Sequence, residues 1–127
     1  MKHPNAEELL EGILTRDPRY TAEAYVLVRA GLDYTVRRLE KPRHVSGQEL
    51  LDGIREFALA EFGPMTKTVF NGWGINRTED VGEIVFNMVE TGLLGKTEKD
   101  SRADFANGYD FDEAFRKPFR PHGAGKA

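Results

Sequence analysis

The amino-acid sequence predicts an all-α fold, a compact bundle of about five helices finished by short C-terminal helical turns, with a winged-helix-like layout in its second half. Three observations carry this. Apolar residues return every three or four positions in successive segments, the spacing that gathers them on one face of a helix. Pairs such as Asn5 with Glu8, Ser46 with Glu49 and Asn76 with Glu79 have the three-residue spacing of a capping box, which satisfies the orphan amides of a first helical turn. Glycine and proline fall where each periodic run stops, as at Asp17-Pro18, Gly63-Pro64 and Gly92.

Taken in order, Asn5 caps a first helix over about Ala6 to Arg16, with Leu9, Leu10, Ile13 and Leu14 on one face. Asp17 and Pro18 then open a longer helix reaching about Lys41, whose stripe is Tyr25, Val28, Leu32, Val36 and Leu39. The run Tyr25–Val28 would also suit a strand, but the helical period lasts too long for that. On its flank Arg29, Asp33 and Arg37 stand four apart and suit ion pairing. Ser46 starts a third helix that buries Leu50, Leu51, Ile54, Phe57, Ala58 and Phe62 before Gly63-Pro64. A short fourth helix turns Met65, Val69 and Phe70 inward and ends at Asn71-Gly72-Trp73-Gly74. The fifth, capped by Asn76, carries Val81, Ile84, Val85, Met88 and Val89, and Gly92 closes it with Leu93 and Leu94 folding back. Beyond Gly95 the pattern weakens to a turn or a β-hairpin near Gly95–Arg102, a short helix near Ser101–Ala106, a stop at Gly108 and a last turn capped by Asp110 and Glu113. Residues 1–118 form one helical domain and 119–127 a disordered tail on this reading, and Trp73, Phe70, Ile84, Val85, Met88 and Leu32 are its expected core.

With 127 residues, 39% of them hydrophobic and 31% charged, the chain is long enough to bury a core without metals or disulfides. Eighteen Lys and Arg against 21 Asp and Glu leave a net charge of −3, so no global attraction draws it to nucleic acid or anionic membrane. The opening MKHPNAEELLEG has no apolar run of the signal-peptide kind, no stretch approaches a membrane span, and there is no cysteine; a bacterial-type cytoplasm is the expected location.

Catalytic and cofactor patterns are incomplete. Gly72-Trp73-Gly74 begins like a dinucleotide fingerprint, but Arg77 stands where the third glycine belongs and a helix precedes it. Asn76-Arg77-Thr78 matches a glycosylation sequon that is better used as a helix start. His44 lies close to Ser46, the sequence's best nucleophile-and-base pair, yet Ser46 is already explained as a cap. The acidic residues Asp100, Asp104, Asp110, Asp112 and Glu113 could gather round a divalent cation in a small metal-dependent enzyme; aligned as an EF-hand on Gly108, they leave Ala103 and Phe105 where carboxylates are required. Solvated helix starts, where carboxylates suit the positive end of the dipole, are the better account of them. No cofactor or metal is therefore assigned.

A winged helix-turn-helix regulator is a further alternative, with Asn76–Thr91 as reading helix and Lys96–Lys99 as wing tip. The polar positions of that helix are Arg77, Glu79, Asp80, Glu83, Asn87 and Glu90, four acids against one arginine, which would repel phosphates and disfavours duplex DNA. Basic residues collect elsewhere: Arg37, Arg38, Lys41, Arg43 and His44 in one stretch, Arg116, Lys117, Arg120 and Lys126 near the end. Near that second group Phe105, Tyr109, Phe111, Phe115 and Phe119 are dense for such short elements. They serve either as a strap across the bundle or as exposed anchors of an interface. The leading functional reading is a non-enzymatic binding or adaptor module for a protein or ribonucleoprotein, its candidate partner-binding residues being Arg37, Arg38, Lys41, Arg43, His44, Tyr109, Phe111 and Phe115.

The stretches DPRY, EAYVLV, HVSGQELLDGIREFALAEFG, WGINRTEDVGEIVFNMVETGLLGKTEKDSRADF and YDFDEAF make the chain similar to a family of small uncharacterised bacterial proteins. The resemblance runs from about Asp17 to Phe115. It implies a bacterial cytoplasmic protein and brings no activity, cofactor or site residue with it.

Overall fold

The computed structural model describes residues 5–95 and 101–119. Five helices carry the fold: α1 Ala6–Arg16, α2 Ala22–Arg37, α3 Gly47–Phe62, α4 Thr66–Gly72 and α5 Thr78–Thr91. Short 3₁₀ turns at Gly63–Met65, Arg102–Phe105 and Lys117–Phe119 and a π-type turn at Asp112–Arg116 complete the described residues, among which there is no strand. The expected hairpin and wing, the acid Asp100, the bases Arg120 and Lys126 and the tail beyond Phe119 lie largely or wholly outside the described residues.

Local chemistry sets most boundaries. At α1 the Asn5 side chain accepts the Glu8 N–H at 2.8 Å, and at α3 the Ser46 hydroxyl accepts the Glu49 N–H at 3.1 Å while the Glu49 carboxylate takes the Ser46 N–H at 3.0 Å. Gly63 leaves α3 with φ +53°, and Gly92 ends α5 with φ +87° in the left-handed region that glycine enters without strain. Two starts differ from expectation. α2 begins at Ala22, because the Asp17 carboxylate turns onto the Arg19 N–H and guanidinium instead of capping a helix. α5 starts one residue late: Asn76 is held by Asn71 at 3.0 Å, and the Asp80 carboxylate accepts the N–H groups of Asn76 and Arg77 at 2.8 and 3.2 Å. At its other end α2 stops at Arg37, so Leu39 follows in a turn.

α2 and α3 make the most extensive helix pair, and glycines let them close. A Cβ at Gly31 would sit 2.4 Å from Ile54 Cγ1, and one at Gly53 would fall 1.7 Å from the Thr35 hydroxyl. α5 is the central helix, touching α1, α2, α3 and the Arg102–Phe105 turn. Ile84, Val81, Val85 and Met88 are buried as expected, with Phe70. Trp73 and Leu32 are only half-buried: Trp73 packs its edge on Phe62 at 5.7 Å near the surface, and Leu32 faces a cavity described below.

The C-terminal aromatics form a strap. Phe105, Phe111 and Phe115 are buried, Phe111 and Phe115 meet Phe70 edge-on at 5.8 and 5.1 Å, and the Tyr109 hydroxyl donates to the Leu51 carbonyl at 2.8 Å. Thr78, itself buried, ties the strap to α5 by donating to the Phe105 carbonyl at 2.6 Å and accepting the Gly108 N–H at 3.0 Å. These rings pack on one another, Phe111 against Phe115 at 5.0 Å and Tyr109 against Phe115 at 5.9 Å, and complete their burial on the main bundle.

Candidate functional site

The expected partner surface combined the 37–44 stretch with Tyr109, Phe111 and Phe115, and the structure separates the two. Phe111 and Phe115 have no exposed ring to offer, and Tyr109 is half-buried with its hydroxyl engaged by Leu51 and its acidity suppressed by burial. These three residues are a correction to the candidate set: their apolar surface is consumed by Phe70 and α3. Of the five terminal aromatics only Phe119 is exposed, at 43%.

The basic residues line the C-terminal end of α2 and the loop into α3, all at the surface. Arg38 forms an ion pair with Glu56 and lies over the Tyr34 ring. Arg43 grips Glu49 with both guanidinium nitrogens, at 2.9 and 2.7 Å, and with the Ser46 N–H this holds the Glu49 carboxyl down at about 2. Since Glu49 also caps α3, Arg43 fixes the loop to the helix start. Arg37 donates to the Asp33 carbonyl at 3.3 Å, and Lys41 has no polar partner among the described residues. The patch is therefore partly neutralised, its outward positive charge resting mainly on Arg37 and Lys41.

Beneath this loop lies a cavity of about 270 Å³. Arg43, His44 and Ser46 border it, and its walls are apolar: Leu32 and Val36 of α2, Val45, Leu50 of α3, Val85 and Val89 of α5, Leu94 and Phe105. Val36 is the exposed lip, and a shallow cleft on its other side runs to Arg29, Asp33 and Arg37. Periodicity had assigned Leu32 and Val36 to the core. They line a cavity instead, Leu32 half-buried and Val36 exposed at its lip.

A polar network escaped sequence reasoning. Asn87, expected on the outer face of α5, is buried and donates to the Asp17 carboxylate and the Tyr25 hydroxyl, both at 2.9 Å. Arg19 clasps Asp17 at 2.8 and 2.7 Å and reaches Glu83 at 3.1 Å, and Arg102 completes the chain to Glu83 at 2.7 Å. Arg19 first, then Asn87, hold the Asp17 carboxyl far below the usual carboxylate range against the opposing effect of burial. Burial pushes Glu83 up, but Arg102 and Arg19 outweigh it and leave its carboxyl lowered. Tyr20 adds a 2.6 Å bond to Asp80. These groups join the α1–α2 turn to α5 and saturate one another, as structural networks do. Of the polar positions proposed for reading DNA, Asn87 is buried, Asp80 and Glu83 are engaged in this network, and Arg77 and Glu90 stay exposed.

The acidic residues do not converge. Asp104 accepts the Ser101 N–H, Asp110 the Glu113 N–H, Asp112 pairs with Lys67 at 2.7 Å and Glu113 with Lys117 at 3.2 Å. Among the described residues no three His, Cys, Asp or Glu side chains are placed to hold a metal ion, and no helix is long and apolar enough to cross a membrane. Comparison with protein-family models, curated proteins and solved structures finds no match.

Proposed function

We propose that this chain is a small non-enzymatic binding or adaptor module of the bacterial cytoplasm, engaging a protein or ribonucleoprotein partner at the loop end of α2. The observation that supports it is an apolar cavity beside a basic loop: Leu32, Val36 and Val89 line the cavity with Arg43 at its border, Arg37 lines the adjoining cleft, and the exposed Lys41 lies on the same loop. An acidic segment carrying one bulky apolar side chain fits that chemistry. Burying a Leu- or Phe-sized group would contribute about 1.5–3 kcal/mol, while the rim cations favour an acidic partner in rate and register more than in affinity.

Affinity capture from the native cell tests this with the full chain, its Val36→Asp and Lys41→Glu variants, and ribonuclease treatment of each capture. Both positions are exposed, so the variants should melt as the native chain does. The reading expects a specific partner that is lost with Val36→Asp and reduced with Lys41→Glu. Release by ribonuclease marks a ribonucleoprotein and retention marks a directly held protein. Identical captures from all three chains would contradict the site.

A further inference from the structure

α2 presents a second surface, separate from the cavity end. The middle of its outer face holds Val26, 62% exposed, with the small side chains Ala22 and Ala30 one turn before and after it. Apolar grooves run along both sides, about 740 Å³ toward α1 with Leu10 and Leu93, and about 330 Å³ toward α3 with Phe62 and Trp73. A single exposed valine is ordinary. Here it is the crest of an apolar face whose flanking alanines leave room for another backbone to approach closely, toward the short end of the roughly 8–10 Å range of interaxial distances.

The charges on this face name the occupant. Glu23 and Arg29 lie three residues before and three after Val26, both exposed. Glu23 has no ion-pair partner among the described residues, and Arg29 has only a surface pair with Asp33 at 3.4 Å, which is cheaply exchanged. Turn a second copy of α2 antiparallel on the first with Val26 opposite Val26. Ala22 then stands level with Ala30 of the other copy, and Glu23 with its Arg29, twice over by symmetry. A parallel pairing would bring Glu23 to Glu23 and Arg29 to Arg29. Self-complementarity of this kind is what an isologous two-fold interface requires.

We propose that the chain forms a homodimer through this face, with α2 packed antiparallel on its own copy and Val26 at the two-fold axis. The inference stands apart from the cavity reading, and neither test depends on the other.

Light scattering coupled to size-exclusion chromatography, on the full chain at micromolar concentration, reads the mass directly. The native chain is expected at twice its 14.3 kDa and Val26→Asp at 14.3 kDa with an unchanged fold. Glu23→Arg alone and Arg29→Glu alone place like charges together twice and should shift the mass toward the monomer. The combined variant restores opposite signs and should recover the dimer. Because the sequence has no cysteine, Val26→Cys adds a unique thiol, and mild oxidation should link two chains through residues that meet at the axis. A monomeric native chain, a dimer indifferent to Val26→Asp, failure of the combined charge swap to recover the dimer, or a dimeric Val26→Cys variant that does not cross-link would each overturn the proposal.

Discussion

The ring of Phe105 lies on the bare backbone of Gly82: a methyl group there would come within 2.9 Å of three Phe105 side-chain atoms. This contact seats the first residue of the C-terminal strap on the central helix, close to Thr78 and its two hydrogen bonds to the strap. Phe105→Ala is therefore expected to cost about 3–5 kcal/mol, the range for truncating a buried aromatic. Chemical denaturation of the two proteins measures the difference, and a loss under about 1 kcal/mol would mean that the ring does not carry the packing described.

Truncation after Asn107 extends the same argument. It removes Phe111 and Phe115 from Phe70 and Tyr109 from Leu51. The shortened chain should lose its cooperative thermal transition, since two buried aromatics leave an apolar face open on α4. Circular dichroism through a melt is the check; a sharp transition near the native temperature would show the segment to be an appendage.

Ile84 is fully buried in the central helix, so Ile84→Ala should cost about 2–5 kcal/mol through lost burial and the cavity left behind. Equilibrium unfolding gives the value. A near-neutral result would overturn the phase assigned to α5.

Acid should weaken the protein through Asp17 and Glu83. Both carboxyls are lowered in the folded state, so their contribution is fully present above their unfolded values, near pH 4, and is lost as pH falls toward the folded ones. Asp17→Asn, which leaves Arg19 without its closest partner, should melt well below the native chain at neutral pH, the gap narrowing as pH drops from about 5 to 2. Melting temperatures across that window test the sign. A gap that stays constant or widens in acid would contradict the assignment.

Much of the fold was legible because its signals are local. The Asn5 and Ser46 capping boxes, the glycine exit at Gly92 and the apolar stripe of α5 each depend on residues within one or two turns. Part of what was missed depends on neighbours distant in sequence. Asn87 reads as a surface amide until Asp17 and Tyr25, 70 and 62 positions away, are brought against it. Asp17 reads as a helix cap although Arg19, two residues on, takes its carboxylate instead, a competition between local partners that spacing does not decide. Of the candidate site, the basic stretch is where it was expected, while the aromatic half is core. A cluster of phenylalanines has the same composition whether it covers a partner or covers Phe70, and only the arrival of α4 beneath it decides. The cavity was legible only as two residues assigned to the core, of which Leu32 packs at its edge and Val36 stands outside it.

The loop end of α2, rather than the aromatic segment, is the partner surface in this account, and hydrogen exchange on the captured complex tests that most directly. Binding should slow amide exchange through the end of α2, the loop and the first turn of α3, residues 36–50, with the 105–115 strap unchanged because it is already buried. Unchanged exchange across 36–50, with new protection confined to the strap, would contradict it.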